Sequence, residues 1–324
     1  MPSKLNSLRP AFPPTCALCC SARLDILHRV TDYISEESFT LYECRDCGLV
    51  VTWPQPAQSE LRRYYPESYY AWEPGGRWRP MGLLLRLWDW ARQGRNREVL
   101  RSLGGPGKML DVGCGRGDNL AFFRQRGWDV YGTELELQSE APAWLANRIS
   151  HSDLRDGPWT PGSFDCVTFF NTLEHFPDPV GQVEAAWRLL RTGGSIVIEA
   201  PNLDSWQAQL FKDRWFHLDA PRHLYHFRPA VLQRLLESAG FITERLPGAS
   251  YEYELFGWVQ SAQNASSRGR NLLYGELKRA GLVGRRVLFA GLALLLSAAA
   301  LPAGIAASRS GAGAMLRMHG RKLP

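Results

Sequence analysis

The sequence predicts an α/β chain: a Rossmann-like, mostly parallel sheet, with a small metal-bound ribbon before it and an apolar helical insertion near its end. Three observations carry that prediction. The first is a glycine-rich turn, Asp111-Val112-Gly113-Cys114-Gly115-Arg116-Gly117, set between an apolar run and a helical pattern. The second is a pair of C-x2-C knuckles, Cys16/Cys19 and Cys44/Cys47. The third is a stretch without charge from Val287 to Ala307.

The totals frame these signals. A chain of 324 residues exceeds one typical domain. An apolar content of 45% supports a large core, and a net charge of +6 suits a surface that meets anions. Of the seven cysteines, four fall in the two knuckles. The first fifteen residues are polar and proline-rich, without the apolar stretch of a secretory signal, so metal-bound thiolates in a reducing compartment are expected rather than disulfides. The expected location is cytoplasmic.

In chain order, residues 1–55 form the ribbon. Two knuckles separated by a hairpin, with strand-like Ser38 to Glu43 between them, offer four sulfurs to one tetrahedral Zn2+. Four thiolates leave no open position, so the ion is structural. Cys20 is a spare thiol, and Cys114 and Cys166 sit in apolar contexts as core fillers. Residues 56–105 hold an aromatic linker, including Tyr64-Tyr65-Pro66-Glu67-Ser68-Tyr69-Tyr70-Ala71-Trp72, and a helix from Met81 to Leu100.

The main domain covers residues 106–260. Glycines at the first turn allow left-handed backbone and let a ligand lie against the main chain. The second strand ends at Glu134, close to the spacing after Asp111 (roughly 20 residues) at which a βαβ unit puts a carboxylate on ribose hydroxyls. A third strand runs from Ile149 to Leu154 and a fourth from Ser163 to Phe170. A helix follows from Val183 to Leu190, then a fifth strand from Ser195 to Asn202. Alternation of this kind gives a parallel sheet covered on both faces. After the helix from Pro229 to Gly240, Phe241 to Leu246 reads as strand, and Tyr251 to Val259 as another.

These motifs in this order resemble the class I S-adenosylmethionine-dependent methyltransferases. The matching residues are Asp111-x-Gly113-x-Gly115-x-Gly117, Glu134, Asp153, the run from Phe164-Asp165 through Leu173-Glu174-His175 to Pro177-Asp178-Pro179, and Leu190-Arg191-Thr192-Gly193-Gly194. Together they span roughly residues 106–245. The four-cysteine ribbon before a Tyr-rich segment is similar to a subgroup that includes bacterial sugar C-methyltransferases. The resemblance implies a seven-stranded methyltransferase sheet. It implies that Gly113, Gly115 and Gly117 face the methionine and ribose part of the donor, that Glu134 binds the ribose hydroxyls and Asp153 the adenine amino group, that Asn171 lies near the sulfonium, and that Asp111, Cys114, Leu135 and Leu154 belong to the same donor-binding set. The ribose acid departs from the commoner Asp.

Candidate catalytic residues follow the fifth strand, where Arg214, His217, Arg222, His223, Tyr225 and His226 gather. Histidine suits proton transfer near neutral pH. The resemblance favours His223 as a base or substrate contact, with Tyr225 and His226 beside it. His175 reads equally as a capping residue or as part of the acceptor pocket.

The uncharged run is long enough to span a bilayer (about 18–20 residues). However, Ala314 to Lys322 reads as a closing strand that returns to the sheet, so a single span would strand it on the far side. Residues 261–309 are therefore expected to be an insertion of helices, broken near Pro302, in which 281–309 dips into one leaflet, with Arg285, Arg286 and Arg309 facing anionic headgroups. Residues 310–324 close the sheet. The function expected is methyl transfer from S-adenosylmethionine to a small-molecule, sugar- or lipid-linked acceptor at a membrane surface. The alternatives are an RNA methyltransferase that grips RNA with its ribbon, which is disfavoured, and a non-catalytic, membrane-tethered nucleoside-binding module. Glycine spacing disfavours a nicotinamide cofactor. The sequence specifies no oligomeric state.

Overall fold

The computed structural model describes residues 13, 15–57, 60, 63–65, 93–135, 142–246, 250–266, 271–278 and 283–323; the side chains of 276–278, 283–294 and 297 lie outside that description. Most of the aromatic linker, and the start of the helix expected at Met81, fall outside it.

Three strands, β1 (Leu24–Thr31), β2 (Ser38–Cys44) and β3 (Val50–Trp53), form an antiparallel meander. A fourth strand, β9 (Tyr225–His226), joins its edge from far along the chain, with Val50 opposite His226 and Val51 opposite Tyr225. The ribbon is therefore completed by the segment that follows the fifth strand of the main sheet.

The main sheet contains β4 (Lys108–Val112), β5 (Asp129–Thr133), β6 (Ile149–Ser150), β7 (Phe164–Phe170), β8 (Leu190–Pro201), β10 (Phe241–Arg245) and β11 (Met315–Lys322), in the order β10-β11-β8-β7-β4-β5-β6. β4, β5, β6, β7 and β8 are parallel, and β11 lies antiparallel between β8 and β10. The expected closing strand thus takes its place, with Arg317 opposite Glu199. The third strand is shorter than its sequence suggests, because only Ile149 and Ser150 pair with β5.

One face of the sheet packs on the helical residues 93–102 (α1) and on α2 (Asp118–Arg124), around Val99, Leu120, Phe123, Val130 and Val197. The other face packs on α3 (Pro179–Leu189) and α5 (Pro229–Ser238), around Leu110, Val167, Ile196, Leu232 and Leu236. Apolar residues on both faces are what a buried parallel strand requires. α3 starts where the Asp178 carboxylate caps the Gly181 N–H at 2.9 Å, next to Pro179.

Two expectations need correction. Tyr251 to Val259 is helix: it opens α6 (Tyr251–Ser266). Glu252 and Glu254 fall on its buried side, and Glu254 caps the turn before β11 by accepting the Ala314 N–H. The expected break at Pro302 is also absent. α8 (Val283–Arg309) runs through the proline as one helix. Proline forfeits one ladder bond, but close packing holds the turn: a Cβ at Gly304 would sit 3.0 Å from Glu254 Cγ on α6. A short α7 (Leu272–Lys278) completes this layer. No helix among the described residues is long and apolar enough to cross a membrane.

Candidate active site

The chain runs outward from β4 to β5 and β6, then crosses back to β7 and β8 on the other side. Such a reversal leaves a crevice at the carboxyl ends of the strands, here between β4 and β7. Both halves of the candidate site lie there.

On the β4 side, Gly113, Gly115 and Gly117 have φ of +70°, +52° and +80°, a region costly for any residue with a Cβ. Their surroundings differ. A Cβ on Gly113 would lie 2.3 Å from Thr172 Cγ2, and one on Gly117 would lie 2.2 Å from Leu145 Cδ2, whereas one on Gly115 would meet nothing within 4 Å among the described residues. Gly115 is thus the glycine whose surface is open to a ligand. Gly117 starts α2, so that helix's first N–H groups face the crevice. Glu134, just past β5, turns back to this corner, and its carboxylate accepts the Gly115 N–H at 2.9 Å. Leu135 beside it is exposed. Asp153 is held by Arg155 and by Gln182, whose Nε2 donates to it at 2.8 Å. Leu154 is core. Asp111 is buried, accepts the Thr168 hydroxyl at 2.7 Å, and is pushed up to about 7 by burial. Cys114 is buried against Gly132, where its sulfur would lie 2.4 Å from an added Cβ.

On the β7 side, Asn171 adopts φ +53° and donates its amide to Glu199 at 3.3 Å, while its Oδ1 is buried without a partner among the described residues. Next come Glu174 and His175, and against them lies His223. One ligand-type atom from each of the three lies within 4.8 Å of the others. The imidazoles of His175 and His223 meet edge to face at 4.7 Å, and His223 Nε2 is 4.0 Å from Glu174 Oε1. Both Glu174 oxygens are buried without a hydrogen-bond partner among the described residues. Burial pushes that carboxyl up to about 8 and lowers both histidines. All three are therefore uncharged at pH 7. The tautomer of His223 follows from its neighbour: Nδ1 faces the His217 carbonyl at 2.9 Å and must carry the proton, which leaves Nε2 with a lone pair toward Glu174. His175 Nδ1 likewise donates to the Arg222 carbonyl at 2.9 Å and lies 3.1 Å from the Tyr65 hydroxyl.

Tyr225 and His226 lie in β9 under the ribbon. The Tyr225 hydroxyl donates to the Pro177 carbonyl at 3.0 Å. His226 is pushed down to about 3 by burial, and its Nε2 is 2.9 Å from the Thr52 hydroxyl. Of the three candidate catalytic residues, only His223 is brought to Glu174 and His175.

Sequence reasoning missed a buried ion network behind the crevice. Glu199, fully buried in β8, pairs with Arg95 of α1 at 2.9 Å and Arg317 of β11 at 2.6 Å, and accepts the Ser250 hydroxyl at 2.7 Å. Burial alone would raise this carboxyl, but Arg317 and Arg95 hold it at about 2. Arg95 also donates to Asn119 at 2.6 Å, which ties α1 to α2. The signal was available: Glu199 is a lone acid in the apolar run of the fifth strand.

In the ribbon, Cys16, Cys19, Cys44 and Cys47 place their sulfurs within 4.8 Å of one another, with Cys16 to Cys47 at 3.4 Å and Cys19 to Cys44 at 3.5 Å. Four converging thiols fit a closed tetrahedral ion such as Zn2+. Cys20 is exposed and stands outside the group.

A family model described as a methyltransferase domain matches residues 81–245, about half the chain. The ubiquinone biosynthesis O-methyltransferase of Dechloromonas aromatica is 28% identical over 215 residues, covering 60% of this chain and 87% of that protein. The protein of the same name from Idiomarina loihiensis is 30% identical over 221 residues, covering 63% and 88%. Among solved structures, phosphoethanolamine N-methyltransferase 2 of Haemonchus contortus, in complex with S-adenosyl-L-methionine, aligns with a TM-score of 0.50 at 15% identity, over 85% of this chain and 63% of its own. That likeness concerns the fold. Motifs, sheet order and family match agree, and the chain belongs to the class I, S-adenosylmethionine-dependent methyltransferase family.

Proposed function

We propose that the protein transfers a methyl group from S-adenosylmethionine to a hydroxyl of a small-molecule, sugar- or lipid-linked acceptor, with His223 as the base. One observation carries the reading. The donor corner and the histidine cluster meet across the crevice, because Thr172, two residues before Glu174, closes directly over Gly113. In this reading Gly113, Gly115 and Gly117 face the donor, Glu134 takes the ribose hydroxyls, Asp153 the adenine amino group, and Asn171 borders the sulfonium. Asp111, Cys114 and Leu154 shape the corner from beneath, and Leu135 stands beside Glu134 at its rim.

Transfer is an in-line displacement that needs alignment and exclusion of water. The acceptor oxygen bonds to the methyl carbon, and the carbon–sulfur bond breaks with its electron pair going to sulfur. The hydroxyl proton goes to His223 Nε2. Burial keeps that nitrogen unprotonated at pH 7, so its lone pair can take the proton. Tyr225 and His226 flank the base and hold its loop. Relatives named O-methyltransferases support an oxygen acceptor.

A membrane setting is part of the same proposal. Leu295 (71% exposed), Leu296 and Leu301 of α8 face solvent, as does Leu210 (64%) of α4 (Trp206–Phe211), whose Trp206 N–H bonds the Ala312 carbonyl just past α8. An apolar helix with an open side calls for cover. Flanking Arg285, Arg286 and Arg309 match anionic phospholipid headgroups.

Labelled S-adenosylmethionine supplied with lipid and metabolite extracts tests the chemistry. His223→Gln should abolish turnover while S-adenosylhomocysteine still binds; turnover at the wild-type rate would remove His223 as the base. Co-sedimentation with phosphatidylglycerol vesicles tests the surface. Leu295→Glu/Leu301→Glu should release the protein, and equal pelleting of both would reject it.

A further inference from the structure

We infer that Thr52 is a positioning residue for His223, and that the four-cysteine ribbon is the acceptor-side wall of the site, so that its metal governs that side and leaves donor binding alone. The inference rests on the reading of His223 above.

Thr52 is fully buried in β3. Its N–H donates to the Leu224 carbonyl at 2.9 Å, and its hydroxyl donates to the His223 carbonyl at 2.8 Å. The hydroxyl proton is thereby used, so the His226 contact at 2.9 Å is a bond from Nε2–H to the Thr52 oxygen. One side chain thus spans the backbone of the base and the ring of its neighbour. β3 begins just after the second knuckle, where Cys44 N–H bonds the Leu49 carbonyl at 2.9 Å.

A second tie runs beside the first. Arg222, next to His223, is fully buried and pairs with Asp32 of the β1–β2 turn at 2.7 Å and with Asp219 at 2.7 Å. It also donates to the Tyr64 carbonyl at 3.0 Å. The Arg222 carbonyl in turn fixes His175. Both histidines are therefore oriented by backbone that the ribbon holds. Among the described residues, the donor corner's hydrogen bonds stay within the main domain: Gly113 bonds Thr133, Gly115 bonds Glu134 and Asp111 bonds Thr168.

Hydrogen exchange on the full-length protein, combined with calorimetry of S-adenosylhomocysteine, tests the inference. Thr52→Val should speed exchange across residues 219–227 by about tenfold, the effect of losing a buried hydrogen bond, and stripping zinc with a chelator should speed it further, because the ribbon that carries both ties is released. Exchange across 109–117 and the nucleoside affinity should stay within about twofold. Thr52→Ser keeps the hydroxyl and should restore slow exchange. If Thr52→Val fails to fold, Asp32→Asn cuts the second tie alone and should give the same pattern. The inference is overturned if 219–227 is unaffected by zinc removal, if Thr52→Ser exchanges as fast as Thr52→Val, or if nucleoside affinity falls with the metal. A wild-type protein that never binds the nucleoside would instead reject the proposed function, because exchange of the loop is read without any ligand.

Discussion

The Glu134 carboxylate accepts the Gly115 N–H at 2.9 Å, across the gap between the first two strands of the parallel sheet. The acid is thereby aimed, before any ligand arrives, at the one glycine of the corner whose surface is open. Pre-aiming lowers the ordering cost of binding.

Glu134→Ala should therefore weaken S-adenosylhomocysteine by about 10- to 100-fold, the worth of one or two hydrogen bonds to a charged group. Calorimetry reads the affinity, and a melting curve close to wild type would show that the fold survives.

The glycines should separate by kind of damage. Gly113→Ala meets both a left-handed φ and Thr172, and should cost on the order of 2–4 kcal/mol of stability. Gly115→Ala has room and should cost only about 1–2 kcal/mol, yet its methyl would stand where the proposed function puts the donor. Chemical denaturation and calorimetry together should show Gly113→Ala as the less stable variant and Gly115→Ala as stable but defective in binding.

Much of this was legible in the sequence, and the reason is local. Gly113, Gly115 and Gly117 are fixed by backbone angles, and the four cysteines by ligand spacing, so both signals are contained in short segments. The histidine segment showed its chemistry but not its partition. That Tyr225 and His226 would pair with β3, leaving only His223 beside Glu174, depends on contacts between residues far apart in sequence. The same holds for Arg95, Glu199 and Arg317, which meet only once β11 inserts beside β8. Tyr251 to Val259 misled because a short apolar run has no period of its own strong enough to choose helix over strand.

Glu199 gives a pH signature. Its folded pKa, about 2, lies below that of an unfolded Glu, so the network stabilises the fold fully above that unfolded value and the stability is lost as pH falls toward 2. Glu199→Gln leaves Arg95 buried without its carboxylate and Arg317 with Glu98 alone, at a cost of about 3–5 kcal/mol near neutrality. The difference between wild type and variant, measured by denaturation from pH 7 to pH 3, should narrow as the solution is acidified.

The ribbon should hold one zinc ion per chain. Cys47→Ser should lose it and lower the melting temperature, because ribbon folding and metal binding are one event, whereas Cys20→Ser should change neither. Elemental analysis with calorimetric melting reads both.

The most direct measurement is a crystal structure of the protein with S-adenosylhomocysteine. The account predicts ribose hydroxyls on Glu134, main-chain contact at Gly115, and sulfur facing the cluster of Glu174, His175 and His223. A nucleoside bound elsewhere, or a sulfur turned away from those three side chains, would contradict it.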